Sequence, residues 1–248
     1  MGKKKKRSYP KQNAAPSLTS TPAETISLDS LISKKFVCLA CFIILALGLS
    51  VYAPSFNHEF IWDDKIIIPL NEYITTFDIP KLFTTDVHHF SYQPSNFYRP
   101  LQTLSYALNH TWAGLTPFAY HLTNTLIHIS AAFVLFLVFC CLNDVLQKTQ
   151  PTTWRWIALM ASLVWLVHPL HTQNTTYISG RADVLVTLFI FLSLYMHIKR
   201  KTVLTLVFLI GAFLSKELAF ITPLFFILYD TVISPHSKEE RRLKKIVV

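Results

Sequence analysis

The stretch KKFVCLACFIILALGLSVYAP, residues 34–54, opens with two lysines and then continues for eighteen residues without a charge. At about 1.5 Å per residue, a helix of that length covers most of a hydrocarbon core about 30 Å thick. The lysines at one end and Pro54 at the other delimit the apolar run. This stretch therefore predicts a membrane-spanning helix over residues 36–53.

The composition of the whole chain agrees with a membrane protein. Of the 248 residues, 52% are hydrophobic and only 15% are charged, against about 25% charged in an average soluble domain. Further apolar runs follow at residues 120–142, 156–170, 182–198, 202–215 and 218–233. We predict an all-α integral membrane protein with about six transmembrane helices.

The distribution of Lys and Arg predicts the orientation of these helices. With six spans, 18 of the 23 Lys and Arg residues fall on the side of the two termini. Because cytoplasmic loops carry the excess of basic residues, both termini are predicted to be cytoplasmic. The segments predicted to face the other side are 54–119, 168–183 and 215–218. As an alternative, Lys216 and Glu217 would lie inside the membrane in one longer segment kinked at Pro223.

The chain divides into a membrane module and two basic tails. Residues 1–35 are predicted to be a disordered cytoplasmic tail, residues 36–233 the module, and residues 234–248 a second cytoplasmic tail. The basic residues cluster beside apolar segments instead of alternating with aromatics on a folded surface, which argues against nucleic-acid binding. Cys38 and Cys41 have the spacing of zinc ligands, but their apolar context favours packing in the membrane.

The long loop at residues 54–119 is predicted to contain helices that lie on the membrane surface. Within 101–115, apolar side chains recur at the spacing of one helical stripe, at Leu101, Leu104, Leu108 and Trp112. Residues 77–86 predict a second short surface helix.

Ionisable and polar residues that are unusual near apolar segments gather on the predicted outer side. They are Asp63, Asp64, Arg99, His168, His171, Arg181, Asp183, Lys216 and Glu217. In the second apolar run, His121, Asn124 and His128 form one polar face. Such residues are costly in a membrane and by default mark a functional cavity. Each also has a simpler interpretation: a solvated loop for the carboxylates, polar contacts between helices for His121 and His128, and interface anchoring for Arg181 and Lys216. His168 and His171 have the i, i+3 spacing of a metal pair, but hydrogen bonding at a helix end broken by Pro169 is favoured.

Sugar transfer from a lipid-linked donor is the chemistry that this arrangement favours. It needs an apolar groove for the lipid tail and a cation for the leaving phosphate, for which Arg99, Arg181 and Lys216 are candidates. It also needs a carboxylate to take the proton of the acceptor hydroxyl. Asp63 or Asp64 is predicted to fill that role.

Several motifs also resemble those of a known family. They are FIWDDKIII (60–68), YRPLQTLSYALN (98–109), GLTPFAYHLTNTLIH (114–128), VHPLHTQNTTYISGRADVL (167–185), LSKELAFITPL (214–224) and LYD (228–230). They resemble the N-terminal membrane module of the transmembrane and tetratricopeptide-repeat O-mannosyltransferases and their prokaryotic relatives, in the GT-C superfamily. The resemblance implies a GT-C fold and a polyprenyl-phosphate sugar as donor substrate. It also implies a protein or glycan hydroxyl as acceptor and an essential acidic motif, which matches Asp63 and Asp64.

The sequence departs from that family at its end. The family continues with further helices and a repeat domain, whereas this chain stops after six predicted spans. We therefore expect a truncated or minimal enzyme, or half of a split protein whose partner subunit supplies the missing helices or repeats. A non-catalytic subunit and a transporter of lipid-linked substrates are the competing hypotheses.

Cofactor and location are less constrained. No cofactor is certain, although Asp63 and Asp64 could hold Mg²⁺ or Mn²⁺. The predicted location is a multi-pass protein of the bacterial inner membrane, with the endoplasmic reticulum membrane as the alternative.

Overall fold

The computed structural model of the chain describes residues 28–90, 96–146 and 150–234, and these ranges contain helices and no strand. The longer helices are α1 (Leu28–Tyr52), α5 (Pro100–Ala113), α6 (Pro117–Leu146), α7 (Pro151–Leu166), α9 (Arg181–Ile198) and α10 (Thr202–Phe213). The short ones are α2 (Asp64–Ile67), α3 (Glu72–Thr75), α4 (Ile79–Leu82), α8 (His171–Thr176) and α11 (Thr222–Leu228). Four other helical turns are Ala53–Asn57, Ile178–Gly180, Glu217–Ile221 and the π-helical Tyr229–Ile233.

Three segments of the described chain are long and apolar enough to cross a membrane. They are Lys34–Asn57, Pro117–Asn143 and Ile178–Ile198, and Thr202–Phe213 is a shorter apolar helix. The predicted class, an all-α membrane protein, is confirmed. The number of six spans stays a prediction, because α7 and α10 are shorter than a bilayer is thick.

Several predicted boundaries differ from the structure. Helix α1 already begins at Leu28, so the last eight residues of the predicted N-terminal tail are helical. The rest of that tail and residues 235–248 lie outside the described residues. The predicted sixth span is not one α-helix, because 3₁₀, α and π turns follow one another from Glu217 to Ile233. The continuous segment of the alternative is wrong, because the backbone of Lys216 is extended and Pro223 lies in the first turn of α11 instead of kinking a longer helix. The position of Lys216 and Glu217 inside the membrane stays a prediction.

Helix α9 is the centre of the membrane module. It packs against α6 on one side and α10 on the other. Helix α10 turns Val203, Leu206, Val207 and Ile210 outward, each more than half exposed. An outward apolar face is what a helix presents to lipid tails.

The long loop between α1 and α6 folds around a small core that it shares with the start of α6 and with Ile178. Ile67, Ile74, Leu82 and Tyr106 are buried in it, so α2 to α5 form one layer. Helices α4 and α5 form at the positions predicted for the two surface helices, and their position on a membrane surface stays a prediction. In α5 the polar face is buried, and Leu108 and Trp112 of the apolar stripe are exposed, as expected of a helix that touches lipid.

Candidate functional site

The adjacent carboxylates Asp63 and Asp64 have separate environments. Asp64 is fully buried, and its Oδ1 accepts hydrogen bonds from the backbone N–H and the hydroxyl of Ser179, at 2.8 and 2.6 Å. Burial raises the pKa of Asp64, while the bonds from Ser179 oppose that rise. Asp63 is exposed and lines a cavity. Asp64 thus ties the loop to the residues before α9, whereas Asp63 lines the cavity.

The cavity that Asp63 lines has a volume of about 200 Å³. Its walls come from the α2 segment, from the loop before α5, and from the α8–α9 junction. The lining residues are Asp63, Ile67, Val87, His88, Phe97, Arg99, Gln102, Gln173, Asn174, Tyr177, Ser179, Gly180 and Asp183. Three of the sequence-predicted site residues therefore meet here: Asp63, Arg99 and Asp183.

Two more predicted residues are joined to this cavity by ion pairs. Lys216 Nζ lies 2.6 Å from Asp183 Oδ1, and Arg99 Nη2 lies 2.8 Å from Glu217 Oε1. Burial raises the pKa of Glu217, but hydrogen bonds from its own backbone and from Arg99 outweigh burial, and the pKa is lowered overall. Two cations and two carboxylates thus border the cavity beside Asp63.

Arg181 does not line the cavity. Its guanidinium is fully buried and donates to Asn124 Oδ1 and Asn109 Oδ1, both at 2.6 Å, and to the Tyr120 carbonyl at 2.9 Å. It also lies 4.5 Å from the ring centre of Tyr106. Each of its three guanidinium nitrogens already donates to an acceptor, so Arg181 joins α5, α6 and α9 and does not line the cavity.

The four predicted histidines also lie away from the cavity walls. His121 Nε2 lies 3.2 Å from the His58 carbonyl, and His128 Nε2 lies 3.0 Å from the Leu166 carbonyl. At the predicted helix end, His168 Nδ1 accepts from the Leu170 backbone N–H. Burial and the neighbouring His168 lower the pKa of His171. Hydrogen bonding between segments, the simpler interpretation, accounts for His121 and His128, whereas the bond of His168 is local to the helix end.

Sequence reasoning missed the polar wall made by Gln102, Gln173, Asn174 and Tyr177. Burial and the neighbouring Asp63 carboxylate together raise the pKa of Tyr177 to about 12. The run TQNTTY, residues 172–177, is the signal that could have found it, because six polar or aromatic residues follow one another beside an apolar helix.

The backbone is strained beside the candidate carboxylate. Trp62 has a φ of 44° and is 78% exposed. Its ring packs edge to face with the Tyr177 ring, with 6.0 Å between the ring centres. A bulky residue in the left-handed region costs about 1–3 kcal/mol, and such strain clusters at functional sites.

The residues present fit a metal poorly. Both oxygens of Asp64 accept hydrogen bonds, from Ser179 and from the Ile61 backbone N–H, so the two carboxylates do not converge. Within residues 28–90, 96–146 and 150–234, no three His, Cys, Asp or Glu side chains are grouped to hold a metal ion.

A second, larger groove adjoins the cavity. It has a volume of about 680 Å³, and Asn96, Phe97, Tyr98, Phe213, Glu217 and Phe220 line it. Phe97 lines both spaces, and the Arg99–Glu217 ion pair joins one to the other. A polar cavity thus lies next to an apolar groove.

Comparison with known proteins confirms the resemblance seen in the motifs. The chain is 36% identical over 162 residues to the human protein O-mannosyl-transferase TMTC2, which is 62% of this chain. It is 31% identical over 206 residues, 78% of this chain, to Tmtc1 of Drosophila melanogaster, and 28% identical over 165 residues, 65% of this chain, to F38B6.6 of Caenorhabditis elegans. Both are also named protein O-mannosyl-transferases.

These matches cover only part of the relatives. They span 18% of the human protein and 23% of each of the other two, so the chain spans about a fifth of the length of the curated relatives it matches. No family model and no solved structure matches the chain.

Proposed function

We propose that the chain is a membrane glycosyltransferase module that moves mannose from a polyprenyl-phosphate donor to a hydroxyl of a protein. The observation that carries this proposal is the cavity in which an exposed carboxylate, Asp63, lies beside the cation Arg99 and next to an apolar groove. The relatives are named protein O-mannosyl-transferases, which supports a protein acceptor.

In the proposed reaction Asp63 is the general base. The oxygen of a serine or threonine hydroxyl attacks C1 of the mannose, and its proton moves to the Asp63 carboxylate. The new C1–O bond forms as the bond from C1 to the phosphate oxygen breaks, and polyprenyl phosphate leaves with the bonding electrons. A well-positioned base of this kind contributes about 10²–10⁴-fold to the rate.

The leaving phosphate needs positive charge where its own negative charge grows. Arg99 lines the cavity. Lys216 is paired with Asp183, which also lines it. Both cations are already paired with carboxylates, so binding of the donor would exchange a carboxylate partner for a phosphate. The ion pairs hold the two cations in place while the donor is absent.

The groove lined by Phe97, Phe213 and Phe220 fits the first isoprene units of the donor tail, because it is apolar and adjoins Arg99. The polar wall of Gln102, Gln173 and Asn174 offers hydrogen-bonding groups for the sugar or the acceptor peptide. Mg²⁺ or Mn²⁺ is not needed for this scheme, since the cations supply the charge.

The proposed location is a membrane of the endoplasmic reticulum, because the named relatives are animal proteins. This was the alternative to the bacterial inner membrane. A partner subunit that supplies further helices or repeats stays a prediction.

Transfer of radiolabelled mannose from a polyprenyl-phosphate donor to an acceptor protein, in membranes containing the full chain, tests the role of Asp63. Asp63→Asn is expected to lower transfer at least about 100-fold without changing membrane insertion or thermal stability. Asp64→Asn is expected to lower stability as well, because Asp64 is buried against Ser179.

Glu59→Gln is the matched control, because Glu59 is exposed on the same segment and does not line the cavity. It should keep full activity. If Asp63→Asn transfers mannose as well as Glu59→Gln does, Asp63 is not the base and the proposal is wrong.

A further inference from the structure

A third cavity lies at the other end of α9 from Asp63. It has a volume of about 330 Å³, and its polar wall is formed by His197, Arg200 and Lys201, at the turn between α9 and α10. The candidate functional site is at the N-terminal end of α9, which has 18 residues. At about 1.5 Å per residue, the two sites are about 27 Å apart along the helix.

The remaining walls of this cavity are apolar and reach the outer surface of the module. Leu206 of α10 lines it and is 53% exposed, and Phe226 of α11 stacks on the His197 ring with 4.5 Å between ring centres. A basic rim therefore continues into an apolar surface that is turned toward lipid tails.

The charge of the rim is positive after its internal pairing is counted. Asp230 accepts from His197 Nε2 at 2.9 Å and from Arg200 Nη1 at 3.2 Å. Lys201 is exposed and has no ion-pair partner within the described part of the chain. One carboxylate thus faces two permanent cations, and five Lys and Arg residues against two Glu residues follow in the sequence after Ser234.

The backbone conformation at Arg200 indicates that the arginine side chain has a role at this turn. Arg200 has a φ of 58°, at the position after a helix end where glycine is usual. The Arg200 N–H bonds to the His197 carbonyl, and the Lys201 N–H bonds to the Met196 carbonyl, which is the Schellman arrangement. A non-glycine residue there costs about 1–2 kcal/mol, yet arginine occupies it and turns its guanidinium to the cavity rim.

We propose that this cavity binds the headgroup of an anionic glycerophospholipid, with the lipid phosphate against Lys201 and Arg200 and an acyl chain along Leu206. The basic rim matches the negative surface of a cytoplasmic leaflet, which is the side that the Lys and Arg distribution predicts for this turn. The apolar wall selects a lipid over a free phosphate.

Native mass spectrometry of the purified full chain, titrated with dioleoyl phosphatidylserine or dioleoyl phosphatidylcholine, tests this proposal. Phosphatidylserine should bind more tightly. Lys201→Gln should weaken its binding about five-fold, which corresponds to about 1 kcal/mol for one cation near a membrane surface. Leu206→Gln should weaken binding of both lipids, and inorganic phosphate at the same concentration should not compete.

Lys65→Gln is the matched control, because Lys65 is an exposed lysine of the long loop and lines none of these cavities. Lys201→Arg keeps the charge and should bind phosphatidylserine as the unaltered chain does. Equal binding of both lipids, an equal loss in Lys65→Gln, or competition by inorganic phosphate would each overturn the proposal. Thermal unfolding of Lys201→Gln, expected to be unchanged, separates lost binding from lost folding.

Discussion

Arg181 is a buried cation that holds three helices together. Its hydrogen bonds reach Asn109 of α5 and both Asn124 and the Tyr120 carbonyl of α6. Asp64, the nearest buried carboxylate, attracts it through space. A charge in such a place is tolerated because each nitrogen of the guanidinium has an acceptor.

Arg181→Lys should therefore destabilise the protein even though the charge is kept. A lysine cannot reach the asparagine and carbonyl acceptors together, and buried acceptors left without donors cost about 1–3 kcal/mol each. We expect a loss of about 3 kcal/mol, measured as a lower thermal unfolding temperature in detergent. The control is Arg99→Lys, at a partly exposed pair with Glu217, which should cost less than about 1 kcal/mol. Equal losses in the two variants would contradict a special role for Arg181.

The sequence could place Asp63, Arg99 and Asp183 on one side of the membrane, because apolar runs and basic residues set the topology. It could not separate Asp63 from Asp64, since that depends on the backbone N–H of Ser179, more than a hundred residues away. It could not distinguish Arg181 from Arg99 either, because burial of a guanidinium depends on which helices meet around it.

Among the elements, the junction of α8 and α9 positions the cavity wall. Gly180 lies where a Cβ atom would be 2.8 Å from both the Cα and the carbonyl oxygen of Asn174. Those are backbone atoms, so neither can turn away. The glycine is needed for the close approach of the two segments.

Gly180→Ala should displace the wall that carries Asn174 and Tyr177, and we expect lower stability together with lower transfer. Gly211→Ala is the control, because there the added Cβ would meet only the side chain of Phe189, at 2.9 Å, and an aromatic ring can shift. Thermal unfolding and mannose transfer of both variants are the measurements. A larger loss in Gly211→Ala would show that the backbone contact at Gly180 is not the limiting one.

The turn between α9 and α10 allows a second comparison at this scale. Arg200→Gly loses the bonds to Asp230 and Ser234 but relieves the left-handed backbone. Arg200→Ala loses the same bonds and keeps the strained conformation. Arg200→Ala should therefore be less stable than Arg200→Gly by about 1 kcal/mol, measured by thermal unfolding. Equal stability of the two variants would mean that the turn relaxes when the arginine is removed.

The fourth and sixth apolar runs differ in how well the sequence predicts their helices. The fourth apolar run, 182–198, matches α9 within one residue, because three lysine and arginine residues end it. The sixth, 218–233, is mostly apolar in sequence, with Asp230 near its end, but breaks into three kinds of helical turn. The hydrophobicity of a segment predicts whether it is surrounded by apolar groups. It does not predict whether the segment forms a 3₁₀, α or π helix, because that depends on the residues that pack against it.

The topology of the whole molecule depends on whether α7 and α10 cross the membrane, because both helices are shorter than a bilayer is thick. Helix α7 has 16 residues and α10 has 12, so they extend about 24 and 18 Å. Ion pairs from Asp183 to Lys216 and from Arg99 to Glu217 join the end of α10 to the long loop and to α9. These contacts place the 215–217 segment beside Asp63, which favours a crossing by α10.

Labelling of single cysteines with an impermeant maleimide in sealed membrane vesicles can decide between six crossings and three. In a background without the four native cysteines, we would introduce one cysteine at a time at Glu59, Thr152, Leu170 and Thr202, all exposed. Six crossings predict that Glu59→Cys and Leu170→Cys react from one side, and that Thr152→Cys and Thr202→Cys react from the other. Reaction of Thr152→Cys and Leu170→Cys from the same side would show that α7 does not cross. The Asp63 cavity and the proposed lipid site are expected on opposite faces, so reaction of Glu59→Cys and Thr202→Cys from one side would contradict that arrangement.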